Sequence, residues 1–502
     1  MNSMFLQWHP SSANGKLLYE QRLQLQKNVL KNPKQGISYL KETFKFGVVS
    51  EIWDDFVFQH VFLEVFDKLL NHSDVSRAIE VYSVLDHLLF TLYIRREESP
   101  TRFRRAFWNV NFFGVSLSQK LLSNKFQVGK DNQVFKSYSE SPPTKKIAFV
   151  FKGPFKLAHS EFFLSFLKGT SIFKTKIKVY LILLDDSITN LDGLEHVSIV
   201  SLSSIKSTSQ KMIQYANLCA QNYFDHICWV ACVQNLSLYM GTQLAPTQSY
   251  WSMKYHSIIM PTIQKYAGLG FGGDSFSFDD VEWFRGRAFP DLNMPVVDKE
   301  KLTKLRIKEN IPESALVLGC FVRSEKLHDE NFWQSIKVIL ETHDHVHFVI
   351  ASQDLPALFK DFADSYHCFQ RFHHLGWINT KEWVSNLDIY YDSSPRGSCN
   401  TIFEAIEADV PVLFADTNFN RESSAFPYLF SASNDQRPVG CFTSEDERLR
   451  NCLDLISSSQ KRISLAQKQK KLLGVLQGRS HLFAKDYLNY FLDTKLTLNM
   501  LR

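Results

Sequence analysis

The chain has 502 residues, of which 44% are hydrophobic and 22% charged, with a formal net charge of +5 and 42 phenylalanines. This describes a globular protein of two or three domains with a bulky aromatic core. It excludes a disordered chain, and the mild positive balance excludes a nucleic-acid binder that works by charge alone. The eight cysteines are scattered, Cys228 and Cys232 being the nearest pair, and no zinc or redox spacing appears.

In chain order, residues 16–125 read as helices. In EVYSVLDHLLFTLYI the apolar positions Val81, Val84, Leu85, Leu88, Leu89 and Leu92 recur at the 3.6 period, and Gly and Pro are scarce. The opening MNSMFLQWHPSSANGK lacks the basic-then-apolar pattern of a signal peptide, and the run VYLILL at 179–184 is far too short to span a bilayer. The expectation is a cytoplasmic protein with reduced thiols. A polar stretch with a Ser-Pro-Pro break, 127–146, marks a boundary. After it, KIAFVFKGP, KIKVYLILLDD, VSIVSL and HICWVAC read as buried strands with helices between them, ending in a linker-like segment at 284–300. The alternation restarts with LVLGCFV, NFWQSIKVILETH, VHFVIAS, LPALFKDFADS, LDIYYDS, NTIFEAIEAD and VPVLFA, and a Gln/Lys/Leu-rich helical stretch covers about 446–497. The expected fold class is α/β. An all-α domain over 1–140 precedes two Rossmann-like domains, over 141–295 and 296–502, which face each other across a cleft and bind ligands at the carboxyl ends of their strands.

Two loops of the last domain carry chemistry. Arg323 and Lys326 follow a strand, so two cations stand at its carboxyl end, where they suit a pyrophosphate or form an ordinary exposed pair near a helix start. In YYDSSPRGSCNTIFEAIEADVPVLF, Gly397, Ser398, Cys399, Asn400 and Thr401 precede a helix. Small residues let an anion approach the unpaired N–H groups there, and Ser398, Asn400 or Thr401 can cap the helix or bond a phosphate oxygen. Glu404, a turn on, can accept both hydroxyls of a ribose or sit as a plain surface acid. The pairing of the two loops favours the functional reading.

These residues resemble the nucleotide-sugar glycosyltransferases of the GT-B fold, and within them glycosyltransferase family 41, which holds the O-linked N-acetylglucosamine transferases and the bacterial cytoplasmic adhesin N-glucosyltransferases. Three features carry the resemblance: the spacing from Phe321 to Lys326-Leu, the stretch HLGWINTKEWVSNLDIYYDSSP at 374–395, and the distance from Asp392 to Glu404. GTQLAPTQSYWSMKYHS at 241–257 is also similar to bacterial members, which carry an all-α domain before the GT-B pair. The resemblance implies that Lys326 contacts the donor diphosphate and that Glu404 binds the ribose. It extends the nucleotide-sugar site to Arg323, Trp377 and Gly397 through Thr401. It also implies a UDP-sugar as donor substrate and no cofactor. Where the family's nucleotide loop has His, this chain has Cys399. Where retaining GT-B enzymes carry a second Glu, it has Arg396, which favours inversion.

The chain contains no Asp-x-Asp metal motif, and Asp185-Asp186 reads as a strand end. Arg323, Lys326 and the helix N-terminus would stabilise the departing diphosphate in a metal's place, with Lys326 counted as catalytic. The acceptor base is sought at His256, with Lys254 and Gln248 beside it, and a structural imidazole is the equal alternative for His256. His343, His345 and His347 alternate along THDHVHFVI but enter their strand at the end away from the cleft, and Gly268–Gly273 lacks the strand-to-helix context of a phosphate loop. Three functions follow: an inverting transferase acting on a protein or surface-glycan acceptor, a retaining family-4-like polysaccharide transferase, and a nonenzymatic GT-B-like partner protein. From Lys461 to Arg502 nine Lys/Arg face two Asp. That balance reads as a solvated face or as a peripheral contact with an anionic membrane.

Overall fold

The structure, a computed structural model, describes residues 63–83, 86, 112–123, 144–153, 155, 158–188, 192–230, 236–252, 259–268, 274–278, 280–286, 289–290, 292–296, 299–356, 359, 369–434 and 436–496. The described residues divide into two units. One takes those up to Phe155, Ile172–Tyr266 and Phe491–Thr494; the other takes Lys156–Ser171, Ala267–Tyr490 and those from Lys495 on.

The first unit begins with helices: α1 (Leu63–Leu70) and helical residues at 75–83 and 112–123. The remainder of the helical stretch expected over 16–125 lies outside the described residues. Then come β1 (Lys145–Phe151), β2 (Ile177–Leu183), β3 (Val197–Ser201), β4 (His226–Val230), β5 (Thr247–Trp251) and β6 (Lys265–Gly268). They stand in the order β3-β2-β1-β4-β5-β6, and the first five pair in parallel. Each of the four runs read from sequence forms its strand; β1, β2 and β4 are buried on both faces and show no alternation, while β3 is the partly exposed edge. Helix α3 (Thr208–Asn222) returns the chain from β3 to β4 and starts at Ser207, whose Oγ accepts from Gln210 N–H. The early helices dock within this unit. The Glu80 carboxylate accepts from Ser207 Oγ at 2.8 Å and from Ser209 N–H at 3.1 Å, and Tyr82 Oη lies 2.8 Å from Ser237 Oγ.

The second unit contains α2 (Ala158–Gly169), the hairpin of β7 (Ser275–Phe278) and β8 (Val281–Arg285), and α4 (Lys299–Lys308). Its parallel sheet follows: β9 (Leu316–Phe321), β10 (Val346–Ala351), β11 (Phe372–His374), β12 (Ile389–Tyr391), β13 (Val412–Ala415) and β14 (Cys441–Phe442). The order is β11-β10-β9-β12-β13-β14, the doubly wound 3-2-1-4-5-6 pattern. Helices α5 (Glu330–Thr342) and α6 (Asn400–Glu407) make crossovers, and Phe332, Trp333, Ile336 and Ile339 of α5 pack on β9 and β10 in one apolar cluster. The helical stretch expected at the end forms three helices: α9 (Glu445–Ser457), α10 (Ser459–Leu476) and α11 (Ser480–Leu492). The first break is at Ser458, whose side chain caps α10, and the second at Gly478, whose φ of +67° favours glycine. Between α6 and α9 lie α7 (Asn418–Ser423) and α8 (Phe426–Ala432).

His347 pairs with the neighbouring strand, Nδ1 lying 2.9 Å from His373 Nε2, while the rings of His343 and His345 meet edge to face at 5.8 Å. Among the described residues no helix is long and apolar enough to cross a membrane.

Gly319, at the centre of β9, has no room for a side chain: a Cβ there would stand 2.5 Å from Leu387 Cδ2 and 2.9 Å from Val349 Cγ2. We expect Gly319→Ala to cost about 1–3 kcal/mol through overpacking, read as a lower urea midpoint. An unchanged midpoint would show that Leu387 yields freely.

Candidate functional site

The crossovers from β9 and β12 leave in opposite directions, so a crevice opens at their carboxyl ends, the switch point of this sheet. Tyr390, buried on β12, ties its two sides together. Its Oη lies 3.1 Å from Phe321 O, 2.9 Å from Thr401 Oγ1 and 3.3 Å from Ser398 Oγ, and Phe321 N–H donates to it at 3.3 Å.

The loop after β9 makes one turn of 3-10 helix, Ser324–Lys326, pinned by buried Leu327. Arg323 is exposed at its start. Lys326 is half-buried and its Nζ donates to Gly397 O, so the two loops singled out in the sequence touch.

The loop after β12 is held from beneath. Asp392 is fully buried, and Ser398 N–H donates to both its carboxylate oxygens, at 3.1 and 3.0 Å. Gly397 N–H donates to Asn420 Oδ1 at 2.7 Å, and Asn420 Nδ2 donates to Ala415 O at 2.8 Å. A Cβ on Gly397 would lie 2.6 Å from Asp392 Oδ2, so only glycine fits. Below, the buried Arg448 guanidinium lies 4.3 Å from the Tyr391 ring centroid, donates to Asp392 O at 2.9 Å and bonds Glu445. Burial pushes the Asp392 carboxyl up to about 6, against the pull of Lys326 and the Ser398 and Ser393 hydrogen bonds.

Helix α6 begins differently from expectation. Its N-cap is Cys399, with no side-chain cap bond, and neither Ser398, Asn400 nor Thr401 caps it. The hydroxyls of Ser398 and Thr401 turn to Tyr390, a partner supplied by the strand, while Asn400 Nδ2 donates to Glu161 Oε2 of α2 at 3.4 Å. Glu404, a turn along, is buried rather than an open surface acid. Its Oε2 accepts from Thr380 Oγ1 at 2.6 Å, and Oε1 has no hydrogen-bond partner among the described residues. Burial raises its carboxyl above the usual range, Thr380 and Lys381 oppose this, and Glu161 adds to it. Lys381 Nζ lies 3.6 Å from Glu161 Oε1.

Trp377 is 80% exposed, beyond the carboxyl end of edge strand β11. Arg396 lies over the Phe419 ring at 5.7 Å. In the first unit Gln248 is fully buried. It accepts from Trp229 Nε1 at 3.2 Å and donates to Thr262 O at 3.1 Å, so its amide is engaged in the core. Lys254 and His256 lie outside the described residues. Asp185, just past β2, binds Lys211 at 2.6 Å and Lys152 at 3.0 Å. Sequence reasoning passed over Glu161, Thr380, Asn420 and Arg448 as partners of the site. It used Asp392 only as a marker of spacing, although an acid at the end of a buried strand, ahead of a Gly-containing loop, was the available signal.

No family model matches the chain, and neither does any curated protein. Among solved structures, a mutant of the Thermobaculum terrenum O-GlcNAc transferase is similar over 87% of this chain and 82% of its own, with a TM-score of 0.57 and 14% identity. A glycosyltransferase from Rickettsia africae (TM-score 0.48, 10% identity, 69% of this chain and 98% of its own) and Anabaena HepE in complex with UDP and glucose (0.45, 13%, 69% and 98%) are similar at levels that add no argument. The shared feature is the fold: two parallel-sheet units of the GT-B class.

The raised Asp392 carboxyl sets a pH dependence. The folded state holds this proton more tightly than the unfolded chain, so its contribution to stability is complete below the usual carboxylate range and is lost as pH rises through about 6. Asp392→Asn keeps an acceptor for Ser398 N–H without the charge. We expect its melting temperature to match or exceed the parent's at pH 8 and to lose that advantage at pH 5. Parallel curves for the two proteins over that range would contradict the assignment.

Proposed function

We propose that this chain is a glycosyltransferase that passes a hexose from a UDP-sugar to a protein or surface-glycan acceptor, with inversion and without a metal ion. The observation that carries the reading is the meeting of Lys326 with the Gly397–Ser398 loop at the switch point, with Glu404 one turn further on. Lys326 and Arg323 supply the cations that a departing diphosphate needs. Gly397 puts no side chain in the way of the phosphates, the open Oε1 of Glu404 accepts from the ribose, and Trp377 belongs to the same donor site. His256, with Lys254 beside it in the chain, is our candidate for the acceptor base. No cofactor takes part, and the setting is the cytoplasm. The helix α10, with Lys461, Arg462, Lys468, Lys470 and Lys471 and no acidic residue, is the candidate for peripheral contact with an anionic membrane.

One observation favours the nonenzymatic alternative: the Ser398 and Thr401 hydroxyls are already bonded to Tyr390. Thermal unfolding with UDP, GDP and TDP separates the readings. A ligand at 100 times its Kd adds about 2.7 kcal/mol to the folded state. UDP should raise the parent's melting temperature by a few degrees, GDP and TDP should not, and Lys326→Ala should abolish the shift. A parent indifferent to all three nucleotides would sink the transferase reading.

A further inference from the structure

The buried carboxylate of Asp392 is more than a strut for the loop above it. Resting on the reading that a nucleoside-diphosphate sugar sits against Lys326, we propose that Asp392 is a positioning residue that takes up a proton from solvent when the diphosphate arrives. The geometry leaves this group few ways to tolerate another anion. Its oxygens face Ser398 N–H and the Gly397 backbone, with no water-exposed side. The groups around it among the described residues are Lys326 after β9, Cys320 on β9, Tyr390 on its own strand, Ser393 and Ser398 in the loop, and Arg448 on α9. Cys320 and Tyr390 are neutral, burial holding both protons on. The Arg448 guanidinium is paired with Glu445 and serves the Asp392 backbone oxygen. Lys326 is therefore the main cation keeping the carboxylate charged, and in the free protein it is bonded to Gly397 O.

A diphosphate competes for that ammonium and brings its own negative charge. Both effects favour the protonated form of a carboxyl that already titrates at about 6. The neutral acid still accepts Ser398 N–H through its carbonyl oxygen, so the loop keeps its position while the repulsion disappears.

Calorimetric titration with UDP-glucose, whose diphosphate has no ionisation near neutrality, tests this in buffers of widely different ionisation enthalpy at pH 7. The parent should bind with net proton uptake, and its affinity should weaken by up to about tenfold per pH unit above pH 6 before levelling. Asp392→Asn should bind without uptake and with a flat pH profile. Should that variant fail to fold, Glu404→Gln decides: uptake kept there supports Asp392 as its source, and uptake lost there overturns the proposal. Binding by the parent with no proton exchange overturns the proposal. So does uptake that survives in Asp392→Asn but vanishes in Glu404→Gln, since it would place the proton on Glu404. Absence of any binding heat from the parent at pH 5 through 8 overturns the donor-site reading itself, and this inference with it.

Discussion

A carboxylate with no access to water must be paid for by its neighbours, and in the second unit nearly every part of the site contributes to that debt. Asp392 takes a backbone N–H from Ser398, the field of Lys326 and, through its own carbonyl, a bond from buried Arg448. Arg448 in turn lies against the rings of Tyr391, Phe332 and Phe442. The loop between β12 and α6 therefore has little freedom. Its backbone is bonded from below by Asp392, from the side by Asn420 and from the facing loop by Lys326. Such a loop offers a ligand a surface whose ordering cost has been met during folding, which is the condition for tight recognition of a charged group.

The same arrangement sets a cation and an acid on opposite sides of one crevice at the carboxyl ends of the strands. The switch point separates the crossovers of β9 and β12, and Tyr390 bonds to both sides of the gap. Lys326 lies on one side, and Glu404 lies on α6 at the other. The two carry opposite charge and different environments. Lys326 is half-buried over a carbonyl, while Glu404 is buried with one oxygen committed to Thr380. Glu161 of α2 adds a second acid near Glu404, linked to Asn400 and Lys381, and so helps set how readily Glu404 ionises.

Much of this was legible in the chain. The strands β1, β2, β4, β9, β10, β12 and β13 are largely apolar runs, and buried parallel strands leave that signature. That the Arg323/Lys326 loop and the Gly397 loop stand at the same end of the sheet followed from each coming after a buried strand. The strand β5 was missed because TQSYW carries polar residues on a buried strand, Gln248 among them, whose amide bonds inside the core. The strand β14 has two residues and no periodicity to detect. The direction of the Ser398 and Thr401 hydroxyls was not legible either. A cap and a bond to a neighbouring tyrosine require the same residue types, and only the position of Tyr390 decides between them.

Helix α2 follows β1 in the chain yet belongs to the second unit. Phe162 meets the rings of Tyr428 at 5.3 Å, Phe289 at 6.1 Å and Phe403 at 6.3 Å. The second unit is thus discontinuous in sequence, and a fragment that starts at Ala267 leaves those three rings without their partner. During synthesis α2 emerges long before Phe289, Phe403 and Tyr428 exist, so Phe162 waits for those partners while the first unit's strands are made. Closing that long loop is an entropic cost deferred to the end of translation. Until then Phe162 stands without its native ring partners, and apolar surface of that kind favours self-association.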